Sequence, residues 1–168
     1  MELGDAIDSR VPAFGGKMTN MAAMSLIGDP VPVPRCWGIP VSYYNDHMTT
    51  HGLWDFYAEM LEDPDWDDPR HRADRLEELQ QAIEDAPIDP DCLALVMAKQ
   101  DSDFDRVKLR YRSSTNAEDL GNFSGAGLYT SKSGEWDAAG DDIADAITDV
   151  WASVWNPRAW EERAYWGI

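Results

Sequence analysis

Arg112-Ser113-Ser114-Thr115-Asn116-Ala117-Glu118-Asp119-Leu120-Gly121-Asn122-Phe123-Ser124-Gly125-Ala126-Gly127 joins a strand-like segment to a glycine loop. Just before it, Val107, Leu109 and Tyr111 alternate with Lys108, Arg110 and Arg112. That is the two-residue period of a half-buried strand. Leu128 to Ser133 is predicted to return as the second strand of a hairpin over the loop. Between them lie a hydroxyl cluster, an acidic pair and the glycines. These parts suit a polyphosphate: glycines let backbone N–H groups approach phosphate oxygens closely, and the guanidinium offers a fork of donors that stays charged. The hydroxyls can donate to phosphate or help hold a metal. Each feature also has a plainer reading. Arg112 can pair with Glu118 or Asp119, the glycines can simply build a hairpin turn, and Ser114 or Thr115 can cap a helix with Glu118 in a capping box.

Upstream, Gly15-Gly16-Lys17 opens a helix predicted over Phe14 to Ile27, with Met18, Met21, Ala22 and Leu26 near a 3.6-residue period. Lys17 reads either as a phosphate contact at a glycine-rich helix start or as an ordinary surface lysine. Val31-Pro32-Val33-Pro34 must be extended, because prolines restrict the residues before them. Trp37 to Val41 is expected to be a short strand. A helix is expected from Ser42 to Leu61, then an exposed acidic link from Glu62 to Arg70. Further helices are expected over Arg72–Asp85, Asp91–Lys99 and Asp141–Trp155. The tryptophans Trp151, Trp155, Trp160 and Trp166 read as packing residues or as a surface against which other domains dock.

The chain has 168 residues, enough for one domain with a real core. Its net charge of −18 argues against nucleic acid as a partner, since a phosphate backbone demands a basic face. Lysine occurs only at Lys17, Lys99, Lys108 and Lys132, so each cation beside a glycine carries extra information. The Asp-rich surface fits plain solubility better than salt adaptation. No apolar run is long enough to span a membrane, and the N-terminus has no basic and apolar leader pattern. Cys36 and Cys92 form no CxxC pair and fit reduced thiols, with one disulfide as the alternative. Together these point to a cytoplasmic protein. His47 and His51 stand four apart, but no third ligand is evident, and His71 lacks phosphohistidine surroundings; no metal site is expected.

Four segments in order resemble one family, the nucleotide-binding N-terminal domain of phosphoenolpyruvate synthase and pyruvate phosphate dikinase. They are Gly16-Lys17-Met18-Thr19-Asn20-Met21, Val31-Pro32-Val33-Pro34 with Ile39-Pro40, Arg112 to Gly127, and Val150-Trp151-Ala152-Ser153-Val154-Trp155-Asn156-Pro157-Arg158-Ala159, closing on Gly167-Ile168. Departures are Cys36-Trp37 where the family has Gly-Phe, Gly121 where a proline is common, and Ser124-Gly125-Ala126-Gly127-Leu128 in the loop. The resemblance implies an α/β (α+β) fold, the first lobe of an ATP-grasp domain, over residues 1–168. It implies ATP contacts from Lys17, Arg112, Ser113, Thr115, Gly125, Ala126 and Gly127. It places Arg158 at the transferring phosphoryl group; the plainer reading is a cation at a helix end. Magnesium would accompany ATP, with its ligands mostly outside this chain. The implied partners are the nucleotide, a downstream lobe and a phosphohistidine domain. The implied activity is that of a dikinase-type phosphotransferase passing phosphate through a histidine to pyruvate, incomplete in this chain alone. A glucan water dikinase, an antibiotic phosphotransferase or a non-catalytic nucleotide-binding module are the alternatives.

Overall fold

The computed structural model describes residues 10–27, 32–116, 125, 127–136 and 142–168. Seven helices and one hairpin make up these residues: α1 (Val11–Ile27), α2 (Val41–Thr50), α3 (Leu53–Leu61), α4 (Pro69–Asp85), α5 (Pro90–Phe104), β1 (Leu109–Arg112), β2 (Ser131–Gly134), α6 (Ile143–Ala152), a 3-10 turn (Ser153–Trp155) and α7 (Pro157–Trp166). The chain divides into two compact units, Met1–Tyr43 with Ser114–Ala126, and Tyr44–Ser113 with Gly127–Ile168.

This corrects the α/β expectation, and with it the ATP-grasp lobe. Of the described residues, 65% are helical and 6% lie in strands, all in one two-stranded antiparallel sheet. The expected strand over Trp37–Val41 is absent: residues 32–40 carry no regular structure, and Val41 starts α2. Pro32, Pro34 and Pro40 each lack the N–H that a ladder needs, and an extended segment without a paired neighbour is not a strand. The expected hairpin is present but shorter, with both strands starting later than the sequence suggested, at Leu109 and Ser131. Leu109 faces Gly134, Arg110 faces Ser133, Tyr111 faces Lys132 and Arg112 faces Ser131.

In the first unit α1 is two helical pieces meeting at Gly15, whose φ of 72° and ψ of 167° are not helical. The expected helix therefore starts in earnest at Gly16. Its far end turns apolar side chains outward, with Leu26 and Ile27 exposed.

The second unit holds the main core, where Met48, Leu53, Met60, Leu76, Leu79, Ile83, Ala152 and Trp155 are buried together. The expected helix from Ser42 to Leu61 breaks into α2 and α3 at Gly52, which sits left-handed at φ 67°. That conformation costs glycine nothing and costs other residues dearly. α4 begins on Pro69, and the Asp68 carboxylate accepts from the amides of Arg70 and His71. A capping acid followed by proline at the first helical position is a standard start. Leu76, Leu79 and Ile83, three and four apart, put one fully buried stripe against α6. One turn before that stripe and on the same face of α4, Arg72 lies over the rings of Trp66 and Trp160 and donates to Glu161 and to the Trp66 carbonyl, joining α4 to α7. The Tyr44 hydroxyl accepts from Trp155 Nε1 at 2.8 Å, and burial pushes its pKa up to about 12.

Two histidines are shifted in opposite directions. His47 is buried, and its Nε2–H donates to the Ile83 carbonyl at 3.2 Å while Nδ1 has no partner among the described residues. Burial holds its pKa below the ordinary 6.5. His71 lies 2.8 Å from the Asp63 carboxylate, which raises the histidine and lowers the acid.

These features lead to two expectations. Leu79→Ala should lower the unfolding free energy by about 2–5 kcal/mol in urea titration followed by circular dichroism, whereas Leu95→Ala, at a 60% exposed position, should change it by about 0.5 kcal/mol or less. In an NMR titration His47 should titrate below 6.5 and His71 above it. The His47 contribution to stability is complete above 6.5 and is lost as pH falls through its depressed pKa; that of His71 is complete below 6.5 and is lost as pH rises through its elevated one. Asp63→Asn should return His71 to the ordinary range and leave His47 where it is.

Candidate functional site

In the first unit, the lysine turn is built around Gly15. A Cβ there would lie 1.9 Å from the Ser114 carbonyl oxygen, so no other residue fits even apart from its positive φ. The close approach permits a set of bonds. The Gly16 amide donates to the Thr115 carbonyl at 2.9 Å. The Met18 amide donates to Ser114 Oγ at 2.9 Å, and that hydroxyl donates in turn to the Phe14 carbonyl at 2.7 Å. Thr19 Oγ1 donates to the Gly15 carbonyl at 2.8 Å. Lys17 stands half-buried in the first turn after the kink. Ser114 is thus a helix cap, as its residue type suggested, but for α1 about a hundred positions earlier in sequence rather than for a helix of its own. The capping box with Glu118 cannot be followed, because Glu118, Asp119 and Ala126 lie outside the described residues. Thr115 Oγ1 is buried with no hydrogen-bond partner among the described residues. Gly125 is left-handed, φ 60°.

In the second unit, Arg112 is the last residue of β1 and is exposed, while Ser113 behind it is buried. Gly127 has a φ of 76° with open space where a Cβ would stand. Leu128 next to it is buried, and its carbonyl accepts from Asn156 Nδ2 at 2.7 Å. The same amide nitrogen donates to the Ser153 carbonyl, and Asn156 Oδ1 accepts from the Ala159 amide at 2.8 Å, capping α7. One side chain therefore ties the exit of the glycine loop to the helix that carries Arg158. Arg158 itself is exposed in the first turn of α7, just after Pro157. The plainer expectation set it after the end of a helix; it also stands in the first turn of the next one, α7, where the positive end of the macrodipole disfavours a cation.

The sequence-predicted residues therefore fall into two groups. Lys17, Thr115 and Gly125 belong to the first unit; Arg112, Ser113, Gly127 and Arg158 belong to the second. Sequence reasoning missed α7 and the role of Asn156. The signal was readable, since Asn followed by Pro is a cap and first-turn pair. Nothing local to Ser114 could have revealed its partner Met18.

His47 and His51 are engaged in structure. His51 Nε2 binds the Pro87 carbonyl at 3.0 Å, as His47 binds that of Ile83. Among the described residues no three His, Cys, Asp or Glu side chains gather into a metal-holding group. Cys36 is an exposed free thiol, and Cys92 is buried, which pushes its pKa up to about 11. No helix among the described residues is long and apolar enough to cross a membrane.

The family model described as pyruvate phosphate dikinase, AMP/ATP-binding domain, matches residues 11–168. The chain belongs to this family. The chain is 29% identical over 150 residues to a probable phosphoenolpyruvate synthase of Methanothermobacter thermautotrophicus, covering 86% of this chain and 21% of that protein. It is 28% identical over 169 residues to the phosphoenolpyruvate synthase of Escherichia coli, covering 97% of this chain and 20% of that one. The chain spans about a fifth of the length of these curated relatives. No solved structure shows a significant match.

The lysine turn predicts opposite responses at two neighbouring sites. Gly15→Ala should destabilise the first unit by roughly 1–3 kcal/mol, through both the left-handed backbone and the collision with Ser114. Thr115→Val should leave the stability of the free chain unchanged or raise it by about 1 kcal/mol, because the hydroxyl it removes is buried and unpaired. Amide exchange across residues 14–19 reads both variants; faster exchange in Thr115→Val would mean that its hydroxyl has a structural partner.

Proposed function

We propose that this chain binds ATP for a phosphotransferase of the phosphoenolpyruvate synthase type. In that reading ATP phosphorylates a histidine carried outside this chain, and the histidine then passes the phosphoryl group to pyruvate. The observation that carries it is the family match, which spans residues 11–168 and takes in every candidate contact.

The chemistry of the candidates supports the reading. Phosphoryl transfer asks the protein for positioning and charge neutralisation more than for covalent help. Lys17 provides a compact charge at a glycine turn, and Arg112 provides a planar fork at the end of a strand. The Gly125-Ala126-Gly127 segment provides backbone amides without side-chain bulk. The unpaired hydroxyl of Thr115 has donor and acceptor capacity left over for a ligand, and a buried polar group left unmatched is costly without one. Arg158 gains nothing from the dipole of its own helix, and contact with a transferring phosphoryl group is the role assigned to it in this reading. Ser113, buried behind Arg112, is kept as a candidate contact on its position beside that arginine.

Magnesium belongs to this reading as the companion of ATP. Such a cation keeps several waters and is held chiefly by phosphate oxygens with one or two carboxylates, and its protein ligands are assigned mostly to segments outside this chain.

Calorimetric titration with Mg·ATP tests the proposal. Wild type should bind, and Lys17→Ala and Arg112→Ala should each lose about 10- to 100-fold in affinity, the worth of a charge-assisted hydrogen bond. A folded chain that binds no nucleotide, or binds equally well without either cation, overturns it.

A further inference from the structure

We infer that Ser114 is a positioning residue for Lys17: its hydroxyl clasps both sides of the Gly15 kink and thereby sets where the lysine stands. The inference rests on the reading of Lys17 as a nucleotide contact.

The argument starts from the orphan amides of a helix start. The residues after the Gly15 kink open the second helical piece of α1, and the first amides of a helix have no acceptor within it. An anion often fills such a vacancy. Here protein atoms from one short segment fill two of the positions, the Thr115 carbonyl at Gly16 and Ser114 Oγ at Met18. These two amides flank Lys17 in sequence. Ser114 does more than cap, since its proton goes to the Phe14 carbonyl on the other side of the kink. A hydroxyl can accept and donate at once, which no carboxylate or amide oxygen can do. Three contacts then meet at one residue: Phe14 before the kink, Met18 after it, and Gly15 packed against the Ser114 carbonyl. Those contacts fix the backbone on both sides of the lysine.

The consequence is that the Lys17 ammonium starts from a backbone that is already in place. Removing the hydroxyl frees the Met18 amide and the Phe14 carbonyl together. The lysine remains, but must be ordered anew by each nucleotide. Misplacing a positioned group by about 1 Å is enough to cost catalysis of the order of a hundredfold; for binding alone we expect about tenfold.

The test is a double-mutant cycle in the intact chain on Mg·ATP affinity, with Ser114→Ala, Lys17→Ala and the pair, and amide exchange on the same samples. Ser114→Ala should weaken binding about tenfold in the wild-type background and have almost no effect once Lys17 is alanine. The Gly16 and Met18 amides should exchange faster while those of α4 keep their protection, which shows that the fold survives. Ser114→Thr, which keeps a hydroxyl, should recover both affinity and protection. Wild-type binding with an unaffected Ser114→Ala variant overturns the inference and leaves the ATP reading standing, as do losses at Ser114 and Lys17 that simply multiply. Wild type that fails to bind Mg·ATP overturns the ATP reading and the inference with it.

Discussion

Gln100 has no exposed surface at all, and its amide makes the bonds on which the hairpin depends. Its Nε2 donates to the Val107 carbonyl at 2.8 Å, and its Oε1 accepts from the Tyr111 hydroxyl at 2.8 Å. Two strands of four residues are too little to stand alone in water. Here α5 supplies a buried polar anchor and α6 an apolar floor. The floor is close: a Cβ on Gly134 would come within 2.8 Å of the Tyr111 ring and 3.3 Å of Ala146 Cβ. Burial raises the Tyr111 hydroxyl well above its usual pKa, so it remains the proton donor that Gln100 requires. Replacing either partner alone would strand the other in a dry interior, the expensive way to lose a hydrogen bond. Arg112 hangs from the end of this hairpin, so its placement is inherited from an amide twelve residues away.

What could be read from sequence follows the range of the forces involved. Leu76, Leu79 and Ile83, and likewise Ile143, Ile147 and Val150, declared their helices because the burial stripe repeats locally. Tyr111 and Leu109 declared β1 in the same way. The segment 32–40 misled, because extension is local but pairing is not: prolines fixed the backbone without any strand to meet it. The α/β architecture was inferred from resemblance rather than from periodicity, and helical periodicity already filled most of the chain. Gly52 weakened the second helix visibly, although only its left-handed backbone shows that the helix ends there.

The candidate site divides along the same line. Residue types and glycine spacing were legible: Lys17 beside two glycines, Arg112 at a strand end. Their supports were not. Ser114 meets Met18 across 96 positions, and Asn156 meets Leu128 across 28. Hydrogen bonds of that span leave no periodic trace, and a serine or asparagine has many local uses that look the same. The acidic background adds a further constraint. Lys132 is paired with Asp149, Lys99 with Asp103 and Lys108 with Glu135. A chain with few cations has committed most of its lysines to neighbouring acids.

The aromatic residues are divided unevenly between the two units, and this decides what light can see. Of the eight tryptophans, Trp37 alone belongs to the first unit. The other seven are in the second, several of them ring against ring: Trp54 meets Trp155, and Trp66 meets Trp160. Ultraviolet emission from this protein is therefore almost wholly a signal from the second unit. Melting or tightening of the glycine-kinked unit would pass nearly dark, and a single smooth fluorescence transition would be no proof that the whole chain unfolds in one step.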